Sequence, residues 1–498
     1  MTAVGDRVDT IVAARLSGPG SSLAPLGPVD VFLADGVIVD IAPAGAVRPV
    51  GRVLDAGGAW VIPGLWDHHV HVMQWALVAQ RQHLDVATSA ADAAQIMAWA
   101  PVLSDGRRVG TGFRDGLWGD APTLELIDAA TGAVPTYLIN SDVHSVWMNS
   151  AAFEREGMRP DESGLVREEP AFEISRRLND VDPAVGDAAV DAMAADAASR
   201  GVVGIVDLDM AWNASAWERR VAGGFDALRV DFGIYPEHLE RAVGEGLRTG
   251  DELTGSGGLV RVGPLKVITD GSLGTRTAAC SRHYTGEPGN VGALNYPPDE
   301  VLALMTRATG AGIDCAIHAI GDVANSAALD AFAASGARGT IEHAQLVAHA
   351  DLARFARLGV AASVQPEHAL DDRDMTDAMW RDQTALVYPL RSLSAAGANL
   401  RFGSDAPVAR LDPWAAMASA VHRSRDGREA WRPDERVSAE IAMAASTRGG
   451  STSPSMLQPG TVADLVVCDR DPATADEWEL RATTVAATVL AGRVTHLA

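Results

Sequence analysis

The sequence predicts an α/β chain. Its centre is an eight-stranded (β/α)8 barrel, with a small β-sandwich formed from both termini and an insertion after the first barrel strand. Three observations lead there. The two ends read as short strands with tight turns. The middle alternates apolar strand-like runs with Ala-rich helical stretches. One long gap interrupts that alternation.

At the N-terminus, "VFLADGVIVDIA" places two apolar runs around Asp35-Gly36, a hairpin signal. At the C-terminus, "ADLVVCD" from Ala463 is followed by "VAATVLAGRVTHL" with a turn at Gly492. Together these predict one β domain from residues 1–60 and 451–498; two separate hairpins on the main body are the alternative. Between them, strands are expected at 59–71, 201–209, 228–236, 262–270, 312–320, 339–347, 359–367 and 399–407. Helical stretches such as "PAVGDAAVDAMAADAASR" and "NSAALDAFAASG" separate them. Eight such units over 61–450 fit a barrel, and a doubly wound open sheet is the alternative. The stretch from about 76 to 195 is too long for one crossover. It is expected to hold an inserted subdomain that includes the strand-like "VPTYLINSD".

Composition narrows the function classes. The net charge is −24, with acidic residues spread along the chain, which argues against nucleic acid as a partner. No apolar run is long enough for a membrane span. The start "MTAVGDRVDT" lacks a signal-peptide pattern. Cys280, Cys315 and Cys468 are odd in number and far apart, which predicts no disulfide framework and a reducing, cytoplasmic setting. Of the 41 basic residues, a single one is lysine, Lys266.

The chemistry begins at "PGLWDHHVH", residues 63–71. Strand alternation turns Asp67, His69 and His71 to one face and His68 and Val70 to the other. His69 and His71 then form an H-x-H pair at the C-terminal end of the first barrel strand, the end that carries barrel active sites. Two imidazoles so spaced reach one zinc-sized ion. By itself the pair reads first as structural histidines, with His68 as outward packing. Later strands add to it: His318 in "CAIHAIGD", His343 in "TIEHAQ" and Asp405 in "FGSDAP" all fall at the same end. Each alone is a core histidine or a helix-capping aspartate. Lys266 lies in the fourth strand. A buried lysine can lose its proton and add carbon dioxide to give an anionic carbamate, which arginine cannot do. The plain alternatives are a chance survivor, or a lysine paired with Asp270.

This ordered set resembles the amidohydrolase superfamily along nearly the whole chain. Longer strings resemble its YtcJ-like (amidohydrolase 3) branch, which includes N-substituted formamide deformylases: "SDVHSVWMNSAA", "GLVRE", "LKVITDGSLGTRTA", "IHAIGD", "IEHAQ", "SVQPEH" and "GSDAPV". The resemblance implies a TIM barrel. It implies that His69, His71, His318, His343 and Asp405 ligate two divalent ions, zinc first, with manganese, iron or cobalt as options, and that carbamylated Lys266 bridges them. It also implies hydrolysis of a non-peptide C–N bond (amide, N-formyl, cyclic amide or carbamate) of a small molecule by a bridging hydroxide. Asp405 would be general base and then acid. The expected assembly is a homodimer.

His144, Trp147 and Asn149 match the insertion motif and are candidate pocket residues, as are Asp270, Ser272, Arg276 and Gln365. His368 is a candidate for carbonyl polarisation. Packing or capping is the alternative for Trp147, Asp270 and His368. Trp118 and Trp147 hint at an apolar substrate group. Glu168, in "GLVRE", is a second candidate for the bridging anion, although a surface or substrate-contacting role suits its position outside the core strands better. The run "AASTRGGSTSPSMLQPG" departs from the branch but touches no ligand. The competing functions are a one-metal deaminase of a ring amidine and a non-catalytic scaffold.

Overall fold

A computed structural model describes residues 2–19, 27–78, 81–103 and 105–498. Residues 1, 20–26, 79–80 and 104, which fall within the predicted N-terminal domain and insertion, lie outside the described residues.

Eight parallel strands form the barrel: β1 (Leu65–Val70), β2 (Val202–Asp207), β3 (Arg229–Ile234), β4 (Val260–Ile268), β5 (Cys315–Ala319), β6 (Gly339–His343), β7 (Ala361–Val364) and β8 (Leu400–Phe402). They pair in chain order from β1 to β8. Seven lie within the runs that the sequence marks, β4 starts two residues before its run, and the open-sheet alternative is excluded by what joins the two ends. Asp405 N donates to His69 O at 2.8 Å, and His71 N donates to Ala406 O at 2.9 Å. These bonds close the sheet just past β8, beside the H-x-H pair. The outer faces of the strands and the surrounding helices share one core, with Ile205, Phe232, Leu265, Ile317, Ile341 and Phe402 among its fully buried members.

The predicted single strand over 59–71 is two. Trp60–Pro63 belongs to the terminal sheet, and β1 starts after Gly64. Gly64 is the hinge between them: a Cβ there would sit 2.5 Å from a Val203 methyl. The terminal sheet interleaves both ends of the chain, with Leu465–Cys468 antiparallel to Trp60–Pro63 and then Val485–Leu490 and Arg493–Leu497. On its other side lie Thr10–Leu16, Val29–Ala34 and Val37–Pro43. Ile11, Val31, Val61, Val467 and Val489 make its core, drawn from both halves. Asp35 (φ 50°) and Gly36 (φ 77°) form the hairpin turn in the left-handed conformation that this pair tolerates.

The insertion carries its own five-stranded sheet: Gln82–His83, Arg108–Phe113, Thr136–Asn140, Ser145–Met148 and Leu165–Arg167. The predicted strand in "VPTYLINSD" is its central member. Helices Glu169–Asn179 and Pro183–Ser199 then return the chain to β2. Among the described residues no helix is long and apolar enough to cross a membrane. All three cysteines are buried free thiols.

β1 departs from simple alternation. Asp67 pairs with Ile205 and Val70 with Asp207, so β1 carries one residue more than β2 over this step. Such a bulge re-aims side chains. His69 and His71 face the cavity at the C-terminal end, as expected, but two neighbours do not follow. Asp67 accepts Ser404 N and His69 N, at 3.0 and 3.1 Å, and braces the seam. His68 is not an outward packing residue. It lines an internal cavity beneath Glu342, and its Nε2 donates to Thr447 O at 3.0 Å.

Gly403 sets how closely β8 approaches β1. A Cβ there would lie 2.8 Å from His69 N and 2.9 Å from His69 Cβ. Gly403→Ala is therefore expected to destabilise the fold by about 1–3 kcal/mol through overpacking, measured by urea unfolding. Parental stability in this variant would show that the seam accommodates a methyl group.

Candidate metal centre

The cavity above β1, β4, β5 and β6 gathers His69, His71, Lys266, His318, His343, His368 and Asp405. Their positions follow from strand ends: His69 in β1, with His71 just after it, Lys266 in β4, His318 in β5 and His343 as the last residue of β6. All seven are buried.

Asp405 is the hub. Its Oδ1 lies 3.2 Å from His71 Nε2 and 3.4 Å from His69 Nε2, and its Oδ2 lies 4.0 Å from His343 Nδ1. Burial would raise the Asp405 pKa, but the histidines around it outweigh that and hold it well below the carboxylate range. Two compact sets could each hold a metal ion: His69, His71 and Asp405, and His343, His368 and Asp405. They share the aspartate. The rings of His318 and His343 lie edge to face, 4.5 Å between centroids. His343 (φ 74°) and Asp405 (φ 58°) both adopt the left-handed backbone that few non-glycine residues take. That strain turns them toward the cavity.

Several side chains set the imidazoles' proton positions. Glu342 Oε2 accepts from His69 Nδ1 at 2.7 Å, while its Oε1 accepts from Thr340 Oγ1. The bond fixes the His69 proton on Nδ1 and leaves the Nε2 lone pair facing Lys266 Nζ, 3.3 Å away. His343 Nδ1 donates to Gln365 Oε1 at 2.9 Å. His144 stands behind His318, its Nδ1 3.0 Å from Glu168 Oε2. Burial opposes a charge on His144, but Glu168, Asp142 and Asp270 prevail and raise its pKa to about 9. Burial lowers the pKa of Lys266, with Glu342 and Asp405 acting against it. A divalent ion fits this donor set. The imidazole nitrogens His71 Nδ1, His318 Nε2 and His368 Nε2 and the carboxylate oxygen Asp405 Oδ1 are all buried without a hydrogen-bond partner.

Five predicted pocket residues, Trp147, Asn149, Asp270, Arg276 and Gln365, stand off the cavity wall. Trp147 is fully buried in the insertion sheet, packed with Leu84, Phe113 and Leu138, because its strand turns it away from the barrel. Trp118 packs against the same cluster. Asp270 is fully buried and accepts Ile320 N, Gly321 N and Ala279 N at 2.8–3.0 Å. It ties the β4 loop to the β5 loop, with its Oδ1 3.5 Å from His318 Nε2, and does not line the cavity. Burial raises its pKa to about 7 against those bonds. Arg276 faces outward and pairs with Glu287 at 2.8 Å. Gln365 lies behind His343 rather than on the cavity wall. Glu168 reaches no member of the cluster: it accepts from His144 and, at 2.6 Å, from Thr277 Oγ1. His144, Ser272 and His368 do line the cavity. Asn149 instead caps the helix Ser150–Glu156.

Sequence reasoning missed Glu342, though it directly precedes His343. It also missed the apolar wall of Phe172, Met210, Ile268, Leu273 and Met375, which comes from two helices, the end of β4 and two loops distant in sequence. Phe172, Met210 and Ile268 also border an adjoining cleft of about 1050 Å³ beside helix Glu169–Asn179.

Trp147→Phe and Arg276→Gln are expected to leave KM unchanged, since neither side chain reaches the cavity. A large KM increase in either, measured by steady-state kinetics, would contradict this placement.

Comparison with known proteins agrees with this architecture. The chain is 28% identical over 488 residues to Protein LONG AFTER FAR-RED 3 of Arabidopsis thaliana, covering 87% of this chain and 81% of that protein. It is 26% identical over 513 residues to N-substituted formamide deformylase of Arthrobacter pascens, covering 90% of each. An uncharacterized metal-dependent hydrolase from Pyrococcus horikoshii OT3 superposes with a TM-score of 0.79 at 23% identity, over 94% of this chain and 99% of that one. The profile of the amidohydrolase family matches residues 52–496. The chain thus belongs to the amidohydrolase family, enzymes that hydrolyse carbon–nitrogen bonds.

Proposed function

We propose that the enzyme hydrolyses a non-peptide C–N bond of a small molecule carrying an apolar group, an amide, N-formyl, cyclic amide or carbamate. The observation that carries this reading is the buried convergence of four histidines on Asp405, with ligand atoms left unpartnered. His69, His71 and Asp405 would hold one divalent ion, and His318 and His343 a second, with Lys266 as its carbamate between them. Zinc suits imidazole and carboxylate donors, with manganese, iron or cobalt as other options. Such ions, when bound, polarise a carbonyl and lower the pKa of water.

The protein's own groups supply the rest. Asp405 is ionised and has Oδ1 free of hydrogen bonds, so it can take a proton from the attacking water and return it to the leaving nitrogen. His368 Nε2, unpartnered on the cavity wall, is placed to hold the carbonyl oxygen. Glu342 and Gln365 keep the lone pairs of His69 and His343 aimed inward. Phe172, Met210 and Met375 exclude water and favour an apolar substituent. Lys266 loses a proton as its nitrogen bonds to carbon dioxide, and burial, acting against Glu342 and Asp405, favours the neutral amine that this needs.

A second reading rests on the His69–His71–Asp405 set alone: a one-ion deaminase of a ring amidine, with Lys266 remaining an amine beside His69.

Four outcomes test these readings. A panel of N-acyl, N-formyl, carbamate and cyclic amide compounds, assayed with zinc or manganese supplied, is expected to yield turnover. Turnover of ring amidines alone would favour the deaminase. Lys266→Arg is expected to abolish activity and cut metal content from two ions to one or none by elemental analysis; full activity with two ions would end the carbamate proposal. Asp405→Asn is expected to lower kcat about 10²–10⁴-fold. Glu342→Gln is expected to weaken metal affinity about 10–100-fold, read by competition with a chelator; unchanged affinity would leave Glu342 without an orienting role.

A further inference from the structure

The metal cavity is small for a substrate. Its volume is about 70 Å³, room for a few water molecules, against roughly 300–1,000 Å³ for a ligand pocket. The adjoining cleft of about 1050 Å³ is of ligand size. Phe172, Met210 and Ile268 line both, and with Tyr235 they form a small apolar cluster of their own. These three side chains are thus the partition between the two spaces. Beyond them the cleft wall continues with Ala211, Pro236 and Tyr296. One polar group on that wall lacks a partner. Gln74, in the helix Val72–Val78 just after His71, is 2% exposed, and its Nε2 makes no hydrogen bond. A buried amide N–H without a partner is costly, and an acceptor on a ligand would satisfy it. The charges disfavour a carboxylate. Glu168, Glu169, Asp180, Asp209 and Glu237 line the cleft, while Arg176 pairs with Glu169, and Arg177 pairs with Glu156 and Glu173.

We propose that this cleft is the substrate's second subsite. It takes an apolar arm that carries a hydrogen-bond acceptor and no carboxylate, while the C–N bond lies in the metal cavity. The arm crosses the partition of Phe172, Met210 and Ile268, and Gln74 Nε2 donates to its acceptor. The substrate class is then an elongated amide-type compound instead of a small polar one. The assignment rests on the reading of the metal cavity as the reaction site.

The test is calorimetric titration of the zinc-loaded full chain with alkyl hydroxamates, metal-chelating amide analogues, with a series of arm lengths from acetohydroxamate upward. Affinity is expected to rise about threefold for each methylene that enters the cleft, and a terminal carboxylate to cost about tenfold. Ala211→Trp, which fills the cleft from an exposed position, is expected to flatten the rise. Gln74→Leu is expected to remove an advantage of about fivefold that a keto arm holds over a plain arm of equal length. If Gln74→Leu does not fold, Ala211→Trp decides alone. Three results would overturn the subsite and leave the metal reading standing: acetohydroxamate binding with no gain for longer arms, a gain that both variants leave intact, or a carboxylate-ended arm that binds as well as the plain one. If no hydroxamate binds, the metal reading falls, and titration with octanamide decides the subsite by itself. Binding that Ala211→Trp weakens supports it; binding that this variant leaves unchanged, or none, ends it.

Discussion

The site depends on how the barrel closes. The hydrogen bonds that join the last strand to the first run between Asp405 and His69 and between His71 and Ala406. The backbone groups that complete the cylinder therefore belong to, or adjoin, the residues whose side chains meet above it. Barrel closure removes an exposed sheet edge, and here the same contact fixes the spacing between the H-x-H pair and the aspartate. Gly403 permits the approach, and Asp67 braces it through Ser404 N. Structural and chemical demands on this seam cannot be separated.

Around the seam, the electrostatic problem is burial. Five imidazoles, the Lys266 amine and the carboxylates of Asp405 and Glu342 are packed together, largely hidden from water. The protein meets part of that cost with directed bonds: Glu342 to His69, Gln365 to His343, Glu168 to His144. Each leaves one ring nitrogen committed. The atoms left over point into the cavity, where a divalent ion would offset their desolvation.

Much of the fold was legible because each barrel strand is a short apolar run bounded by turn signals. The hairpin at Asp35-Gly36 was legible from two residues. The cluster was legible as far as side chains obey alternation, which placed His69, His71, His318 and Asp405 at one end of the barrel. It failed where two successive residues both face inward. The bulge in β1 does this for His68 and His69, and the left-handed backbone at His343 does it for Glu342 and His343. Neither distortion has a local sequence signal: both positions are ordinary L-residues in apolar strands. Trp147 and Asp270 were misplaced for another reason. Which face of the insertion sheet meets the barrel, and which loop Asp270 ties down, depend on contacts with segments far along the chain.

Residues 60–70 take their strand partners on one side from beyond residue 400: Trp60–Pro63 from Leu465–Cys468, and the H-x-H segment from the backbone near Asp405. During synthesis from the N-terminus, this segment is among the first parts made and among the last to be seated. For most of translation its apolar strands lack those partners, and the histidines lack the aspartate they converge on. Closing loops of this length costs little extra free energy per added residue, but such distant pairings form slowly. The cluster of candidate ligands is thus completed late in the folding sequence, after the segment carrying Asp405 has emerged.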